Sequence, residues 1–245
     1  MVVLAQISDL HLDGTDQAAE RAARVMRYLA SREHPVDAVL VTGDIADHGT
    51  ESEYEQAAAV LTGPFPVLTC PGNHDVRGPY QKVLLGEPAS DGPVNRLHHV
   101  AGTAILMCDA TIPGRDEGLL APETLRWLAS ALAGLDDGTP ALVAFHQPPV
   151  RLHHPLPDGS RLERPEDLAG LLAAHPQVVA VLTGHAHTAA ASVFAGRPLL
   201  VSPAVTWNLR LPWETGTPVA DQPPGVAFHV LDEERRLTTH FRVVP

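Results

Sequence analysis

Apolar residues in this chain fall into short runs separated by stretches with helical spacing. Residues 2–8 form an apolar run that reads as a buried strand, and residues 15–33, rich in Ala, Arg and Glu, read as a helix. Residues 36–42 give a second, β-branched strand. Residues 50–61 give a second helix, with Thr50 as its N-cap and Glu53 three residues later, the capping-box pattern. Residues 65–69 form a short third strand. This alternation of strand and helix predicts βαβ units and a parallel sheet.

The pattern then changes. Residues 96–100 and 103–108 read as an antiparallel pair joined across Ala101-Gly102. A helix over 122–135 starts with Pro in its first turn, where the missing N–H costs nothing. A strand at 141–145, a helix at 164–175 and strands at 178–183, 189–195, 198–202, 226–231 and 237–243 complete the pattern. Two sheets packed face to face with helices outside accommodate it. The Pro- and Gly-rich stretches 151–161 and 211–225 read as long loops near a site, since unstructured loops of that length inside a domain are uncommon otherwise. No linker or repeat divides the 245 residues, so one domain over 1–245 is expected.

Composition narrows the function classes. The net charge is 17 − 29 = −12, and no basic run is present, which disfavours a nucleic acid duplex as partner. No apolar stretch is long enough for a membrane span, and the N-terminus lacks a basic n-region, so a cytoplasmic protein without membrane partners is expected. Cys70 and Cys108 are the only cysteines and read as small core residues, not a disulfide. Histidine is the outlier, with 14 residues. Five of them fall in motifs that matter below; the others read mostly as surface or loop residues.

Those motifs stand where strands should end: Asp9-Leu10-His11, Gly43-Asp44, Gly72-Asn73-His74-Asp75, His146 followed by Gln-Pro-Pro, and Gly184-His185-Ala186-His187. Each alone fits a capped strand end or an ordinary turn. Together they place metal-ligating side chains on separate loops that one sheet edge can gather. Asp9 and His11, like His185 and His187, stand at i and i+2, which point to one face on an extended strand. Asp44 is the natural bridge, because one carboxylate can hold two cations. Asn73 offers an amide oxygen to a metal, and His74 an imidazole to a substrate. Carboxylate plus neutral imidazole suits Zn, Fe or Mn, not Ca. A pair of such ions points to phosphate-ester chemistry, with a bridging water made acidic enough to attack phosphorus in line. No Ser, Cys or Thr stands in a nucleophile elbow, so a covalent phospho-enzyme is not expected.

The ordered set resembles the calcineurin-like metallophosphoesterases. The Gly-Asn-His-Asp and His-Gln-Pro-Pro blocks and the chain length are most similar to the class III cyclic-nucleotide phosphodiesterases, which are related to glycerophosphodiesterases. The resemblance implies an α/β fold, a four-layer αββα sandwich of two mixed β-sheets flanked by helices. It implies that Asp9, His11 and His187 hold one metal, that Asn73, His146 and His185 hold the other, and that Asp44 bridges them. It implies that His74 faces the phosphate as acid or transition-state stabiliser, and that Asp47, in Gly43-Asp44-Ile45-Ala46-Asp47, orients His74. Many relatives carry His-His-Pro-Pro where Gln147 follows His146 here, so the ligand is kept and the neighbouring substrate contact is altered. Arg77, Asn73 and His74 are the candidate substrate contacts. His153, His154, Trp207, Asn208 and Trp213 are further candidates for the pocket wall, and a homodimer is the family analogy. The function expected is hydrolysis of small phosphodiesters, with 3′,5′-cyclic nucleotides foremost. The alternatives are a phosphomonoesterase or glycerophosphodiester-type hydrolase, and a non-catalytic metal-binding regulatory module.

Overall fold

The computed structural model describes residues 1–136, 138–217 and 219–245. Its two main sheets are both mixed. The first runs Leu237–Val243, Gly225–Leu231, Val2–Ile7, Ala38–Thr42, Val67–Cys70. Val2–Ile7 is parallel to Ala38–Thr42, which is parallel to Val67–Cys70, and it is antiparallel to Gly225–Leu231. The second runs Ala190–Phe194, Arg197–Val201, Val178–Thr183, Ala141–Ala144, Thr103–Met107, Arg96–Val100. Its three central pairings are parallel and its two outer ones antiparallel.

Alternate residues of each central strand leave in opposite directions, which builds the four layers. Leu4, Leu40, Ile105, Leu142 and Leu182 meet in one cluster between the sheets. Ala5, Ile7, Val39 and Val41 pack outward on Val25, Met26, Leu29 and Tyr54 of helices Asp16–Ala30 and Glu51–Val60. Leu106, Val143 and Val181 pack on Leu128, Leu132, Leu168 and Leu172 of helices Pro122–Ala133 and Pro165–Ala173. Strands apolar on both faces read as continuous hydrophobic runs, which is why the pattern located them. The fold class expected from the sequence is the one observed.

A buried polar link joins the two sheets across the apolar middle layer. Gln6, fully buried, donates from Nε2 to Thr42 Oγ1 and to the Thr183 carbonyl of the second sheet, each at 2.9 Å. Its Oε1 accepts from His229 Nε2 at 2.9 Å, and His229 Nδ1 lies 2.8 Å from Thr239 Oγ1. The expectation that the remaining histidines lie on the surface or in loops therefore fails for His229, which is buried in a strand. Cys70 and Cys108 are both free and buried, as expected.

Element ends agree with the sequence reading to within three residues, and the strands at 96–100, 178–183 and 237–243 coincide with it. Thr15 caps the first helix by accepting from the Ala18 amide, and the capping box of Thr50 and Glu53 is formed. Helical segments not expected from the sequence are Arg77–Tyr80, which continues into a π-turn at Gln81–Leu85, and Pro155–Gly159 inside the expected 151–161 loop. The expected 211–225 loop carries Val219–Ala220, paired with Asn208–Leu209; position 218 within it lies outside the described residues. Among the described residues no helix is long and apolar enough to cross a membrane.

Candidate metal centre

The strands stop just before the ligands, and the chain then turns sharply. Asp9, His11, Asp44, His185 and His187 all have φ between 45° and 69°. They are five of ten non-glycine residues with positive φ among the described residues. Such conformations cost about 1–3 kcal/mol each and persist only where surroundings impose them. Here the carbonyl of Asp44 accepts from both the Leu10 and His11 amides, at 2.8 and 3.0 Å, and the Asp9 carbonyl accepts from Thr206 at 3.1 Å. This corrects the expected geometry. Asp9-x-His11 and His185-x-His187 share a side because paired left-handed turns aim them together, not because of strand pleat. Gly72 shows the tightness: a Cβ there would overlap Asp44 Oδ1 and the Asp44 amide.

The side chains form two groups around one carboxylate. Asp9, His11, Asp44 and His187 bring ligand atoms within 4.8 Å of one another, and so do Asp44, His146 and His185. Asp44 Oδ2 lies 3.5 Å from His11 Nε2 and 3.2 Å from His146 Nε2. Its other oxygen is occupied by the His74 amide at 3.0 Å. A single oxygen therefore faces both groups. His187 Nε2 is 3.4 Å from Asp9 Oδ1, whose carboxylate also accepts from the His185 amide at 3.1 Å. Asn73 Oδ1 completes the second group, 3.1 Å from His185 Nδ1.

The far nitrogens of these rings have their own partners. His146 Nδ1 donates to the Thr42 carbonyl at 2.7 Å, His187 Nδ1 to the Trp207 carbonyl at 2.9 Å, and His11 Nδ1 to Asp47 Oδ1 at 2.8 Å. His185 Nε2 faces Ser160 Oγ at 2.9 Å. Such outer partners fix the tautomer and turn the free nitrogen inward. His11 Nε2 and His187 Nε2 then oppose each other at 3.2 Å, an arrangement of two lone pairs that a cation between them makes favourable. The donors fit a pair of metal ions on that ground.

Electrostatics agrees. Burial opposes charge on His146, but the Asp44 carboxylate outweighs it and pushes the ring up to about 9. Burial likewise opposes charge on His11, and the Asp47 hydrogen bond with the Asp44 and Asp9 charges outweighs it. Burial also works against Asp44, yet His146 and His11 hold its carboxyl well below the usual range. His185, desolvated and beside His146, falls to about 3, and His187 is lowered mainly by burial. Each group thus holds one imidazole that the carboxylates draw toward positive charge and one that stays neutral and able to ligate.

Other expected residues stand differently. The Asp47 carboxylate lies 3.6 Å from His74 Nδ1, whereas its carbonyl accepts from that nitrogen at 2.8 Å. Asp47 therefore orients His74 through its backbone and His11 through its side chain. Arg77 is not free for phosphate. Its guanidinium donates to Asp109 at 2.8 and 3.3 Å and to the Asp91 and Thr111 carbonyls. His154 is a buried helix cap bonded to the Arg210 carbonyl, and Trp213 is exposed. Trp207 stacks on His187 with ring centroids 3.9 Å apart. Ser160 and the carbonyls of Thr42 and Trp207 escaped sequence reasoning, since carbonyl partners leave no residue-type signal.

A cavity of about 350 Å³ opens over the groups, with His74, Trp207 and Leu156 in its wall. The edge-on His74 ring stands 4.6 Å from His11. A second cavity of about 490 Å³ continues from His74 and Asn73 toward Gly78 and Asp116.

Residues 2–189 match the family model described as calcineurin-like phosphoesterase. The chain belongs to the calcineurin-like phosphoesterases. Similar curated proteins include a probable cyclic nucleotide phosphodiesterase of Rhodococcus erythropolis, 31% identical over 87% of this chain and 74% of that protein. A cAMP/cGMP dual specificity phosphodiesterase of Mycobacterium tuberculosis is 31% identical over 85% of this chain and 69% of its own length. A glycerophosphodiester phosphodiesterase of Enterobacter lignolyticus is 30% identical over 93% and 86%. A dimetal phosphatase from Danio rerio shares the fold, with a TM-score of 0.74 at 15% identity over 100% of this chain and 96% of that one. The chain is thus a metal-dependent phosphoesterase of this family, and its buried His and Asp cluster fits the dinuclear metal site.

Proposed function

We propose that this protein hydrolyses small phosphodiesters, with 3′,5′-cyclic nucleotides as the foremost substrates. The observation that carries the dinuclear chemistry is the single oxygen of Asp44 facing His11 on one side and His146 on the other. Asp9, His11 and His187 would hold one ion and Asn73, His146 and His185 the other, with Asp44 shared between them. Metal ions held there supply charge for the phosphoryl oxygens and a water acidic enough to attack near neutral pH.

The chain's own residues do the rest. His74, with its Nδ1–H donated to the Asp47 carbonyl, keeps Nε2 for the cavity, and as the imidazolium it can hand the Nε2 proton to the leaving oxygen and stay neutral with Nδ1–H in place. Trp207 covers one side of the cluster and limits water at His187. The arginines nearest the cavities are committed: Arg77 to Asp109, and Arg21 to Asp221 and the Val205 carbonyl. Among the described residues Arg77 is the one arginine in the walls of the two cavities, so a monoester dianion meets no uncommitted lining guanidinium, which favours the singly charged diester. The relatives named as cyclic-nucleotide phosphodiesterases support the same substrate class. The relative named as a glycerophosphodiester phosphodiesterase supports a second reading, cleavage of glycerophosphodiesters.

Mn, Fe and Zn all suit the donors, and availability decides among them. We place the whole of residues 1–245 in one domain, working in the cytoplasm, with a homodimer as the family analogy.

The test is hydrolysis of matched chromogenic mono- and diesters and a 3′,5′-cyclic nucleotide by metal-stripped protein, with Mn, Fe or Zn restored. Metal-dependent cleavage of the diester and the cyclic nucleotide is expected. Diester cleavage without the cyclic nucleotide moves the substrate to the glycerophosphodiester class. Preferential monoester cleavage overturns the proposal.

A further inference from the structure

The position that departs from the family's His-His-Pro-Pro pattern is built into the centre, not left beside it. Gln147 is fully buried. Its Nε2 lies 3.3 Å from the Asp116 carbonyl and 3.5 Å from Asn73 Oδ1. Its Oε1 is buried without a hydrogen-bond partner among the described residues. A buried amide oxygen left so costs about 1–3 kcal/mol, so something must hold the amide this way round.

The Asp116 carbonyl does so. It can only accept, so it selects the amide nitrogen of Gln147 on its side. That nitrogen, with two hydrogens, also faces Asn73. It meets Asn73 favourably only when Asn73 presents Oδ1, because a flipped Asn73 would set one NH₂ against another. Oδ1 is the atom a metal needs and the one 3.1 Å from His185 Nδ1. The other side chain at the Asn73 amide is His185, whose Nδ1 must be bare to hold a metal and then donates nothing, which leaves Gln147 as the donor that assigns the orientation. The room for this device comes from Gly118. A Cβ there would lie 2.6 Å from Gln147 Oε1 and 2.7 Å from its Cδ.

We infer that Gln147 is a positioning residue that fixes the Asn73 carboxamide oxygen-inward, and so sets the strength of the second metal site from the loop carrying Asp116 and Gly118. The inference rests on the dinuclear reading of the centre. A histidine at 147 could not reproduce it, since one ring N–H cannot serve both the Asp116 carbonyl and Asn73. Among the described residues Gln147 makes no hydrogen bond to Asp9, His11 or His187, so its effect falls on the site of Asn73, His146 and His185.

The test is equilibrium dialysis of metal-free protein against Mn(II), for the wild type, Gln147→Met, Asn73→Ala and the double variant. Gln147→Met keeps length and volume and removes the donor together with the orphan oxygen. Its Tm should be equal to or above that of the wild type, whereas a residue with a merely structural hydrogen-bonding role would lower it. Of its two Mn sites, the one that Asn73→Ala also weakens should be loosened about 10–100-fold, as for other outer partners of ligands, and the other should be unchanged. In the Asn73→Ala background, Gln147→Met should add nothing, because its effect passes through Asn73. Unchanged affinity at both sites, equal loosening of both, or additive losses in the double variant would overturn the inference. Should Gln147→Met not fold, Gly118→Ala tests the same link by displacing the amide, with the same selective loosening expected. A wild type that binds only one Mn would instead sink the dinuclear reading itself.

Discussion

Asp44 concentrates the chemistry of the centre in one atom. Its Oδ2 faces His11 and His146, and its Oδ1 is tied to the His74 amide, so the carboxylate cannot rotate away from either group. Asp44→Ala should lose activity and bound metal together; full activity in that variant would show that the two groups work without a bridge. His74 is the contrasting case. Its ring is 39% exposed, and its ligand atom comes together with those of His11 and Asp47, outside the two groups that Asp44 joins. His74→Ala should keep both metals and slow turnover by about 10²–10⁴-fold, the usual scale for lost general-acid catalysis. Metal loss in that variant, measured by elemental analysis, would make His74 a ligand. The identity of these residues was legible in the sequence because each ligand type stands in a short motif at a strand end. Their geometry was not. An i, i+2 spacing is the same string whether the backbone is pleated or left-handed, and only the Asp44 carbonyl, which holds the Leu10 and His11 amides, decides it. For Asp47 and Arg77 the limit is related: the sequence shows their charge but not that the Asp47 carbonyl would stand nearer His74 than its carboxylate does, nor that Asp109 would take the Arg77 guanidinium.

At the scale of elements, the long strands and helices were legible because their burial is patterned. The short helices Arg77–Tyr80 and Pro155–Gly159 were not, since Gly78, Pro79, Pro155, Pro157 and Gly159 all read as loop residues. The capping box at Thr50 was legible down to its Glu53 partner. Thr50→Ala should cost about 1 kcal/mol in chemical denaturation and leave turnover per folded molecule unchanged; no change in stability would mean the helix is held by packing alone. Asp75 carried no assigned role in the sequence, yet it fastens two site loops together. Its buried carboxylate accepts from the Gly72, Ile45 and Ala46 amides and from Tyr54 Oη. Asp75→Ala strands those donors away from water, so it should destabilise the fold more than Thr50→Ala does, in the same denaturation experiment. A smaller loss would mean that water or rearranged backbone replaces the carboxylate.

On the scale of the whole molecule, the two sheets each supply part of the centre. Loops of the first sheet bring Asp9, His11, Asp44, Asn73 and His74, and loops of the second bring His146, His185 and His187. The site therefore exists only while the sandwich is closed, and the Gln6 link to Thr183 ties the sheets directly beneath it. His229 gives that link a pH dependence. Burial lowers its pKa to about 3, against about 6.5 in the unfolded chain. Between those values the unfolded chain binds a proton that the folded chain refuses. Stability should thus be intact above pH 6.5 and fall as the pH drops toward 3, by up to about 1.4 kcal/mol per pH unit. Urea midpoints of wild type and His229→Gln, followed from pH 7 to 4, should show the shallower slope in the variant; equal slopes would remove His229 as the cause.

The centre itself is tested most directly by counting metal. Metal-stripped wild type and Asp44→Ala, equilibrated with excess Mn(II) and passed through a desalting column, should retain two ions per chain and at most one, respectively. Two ions retained by both proteins, or a single ion in the wild type, would contradict a dinuclear centre joined through Asp44.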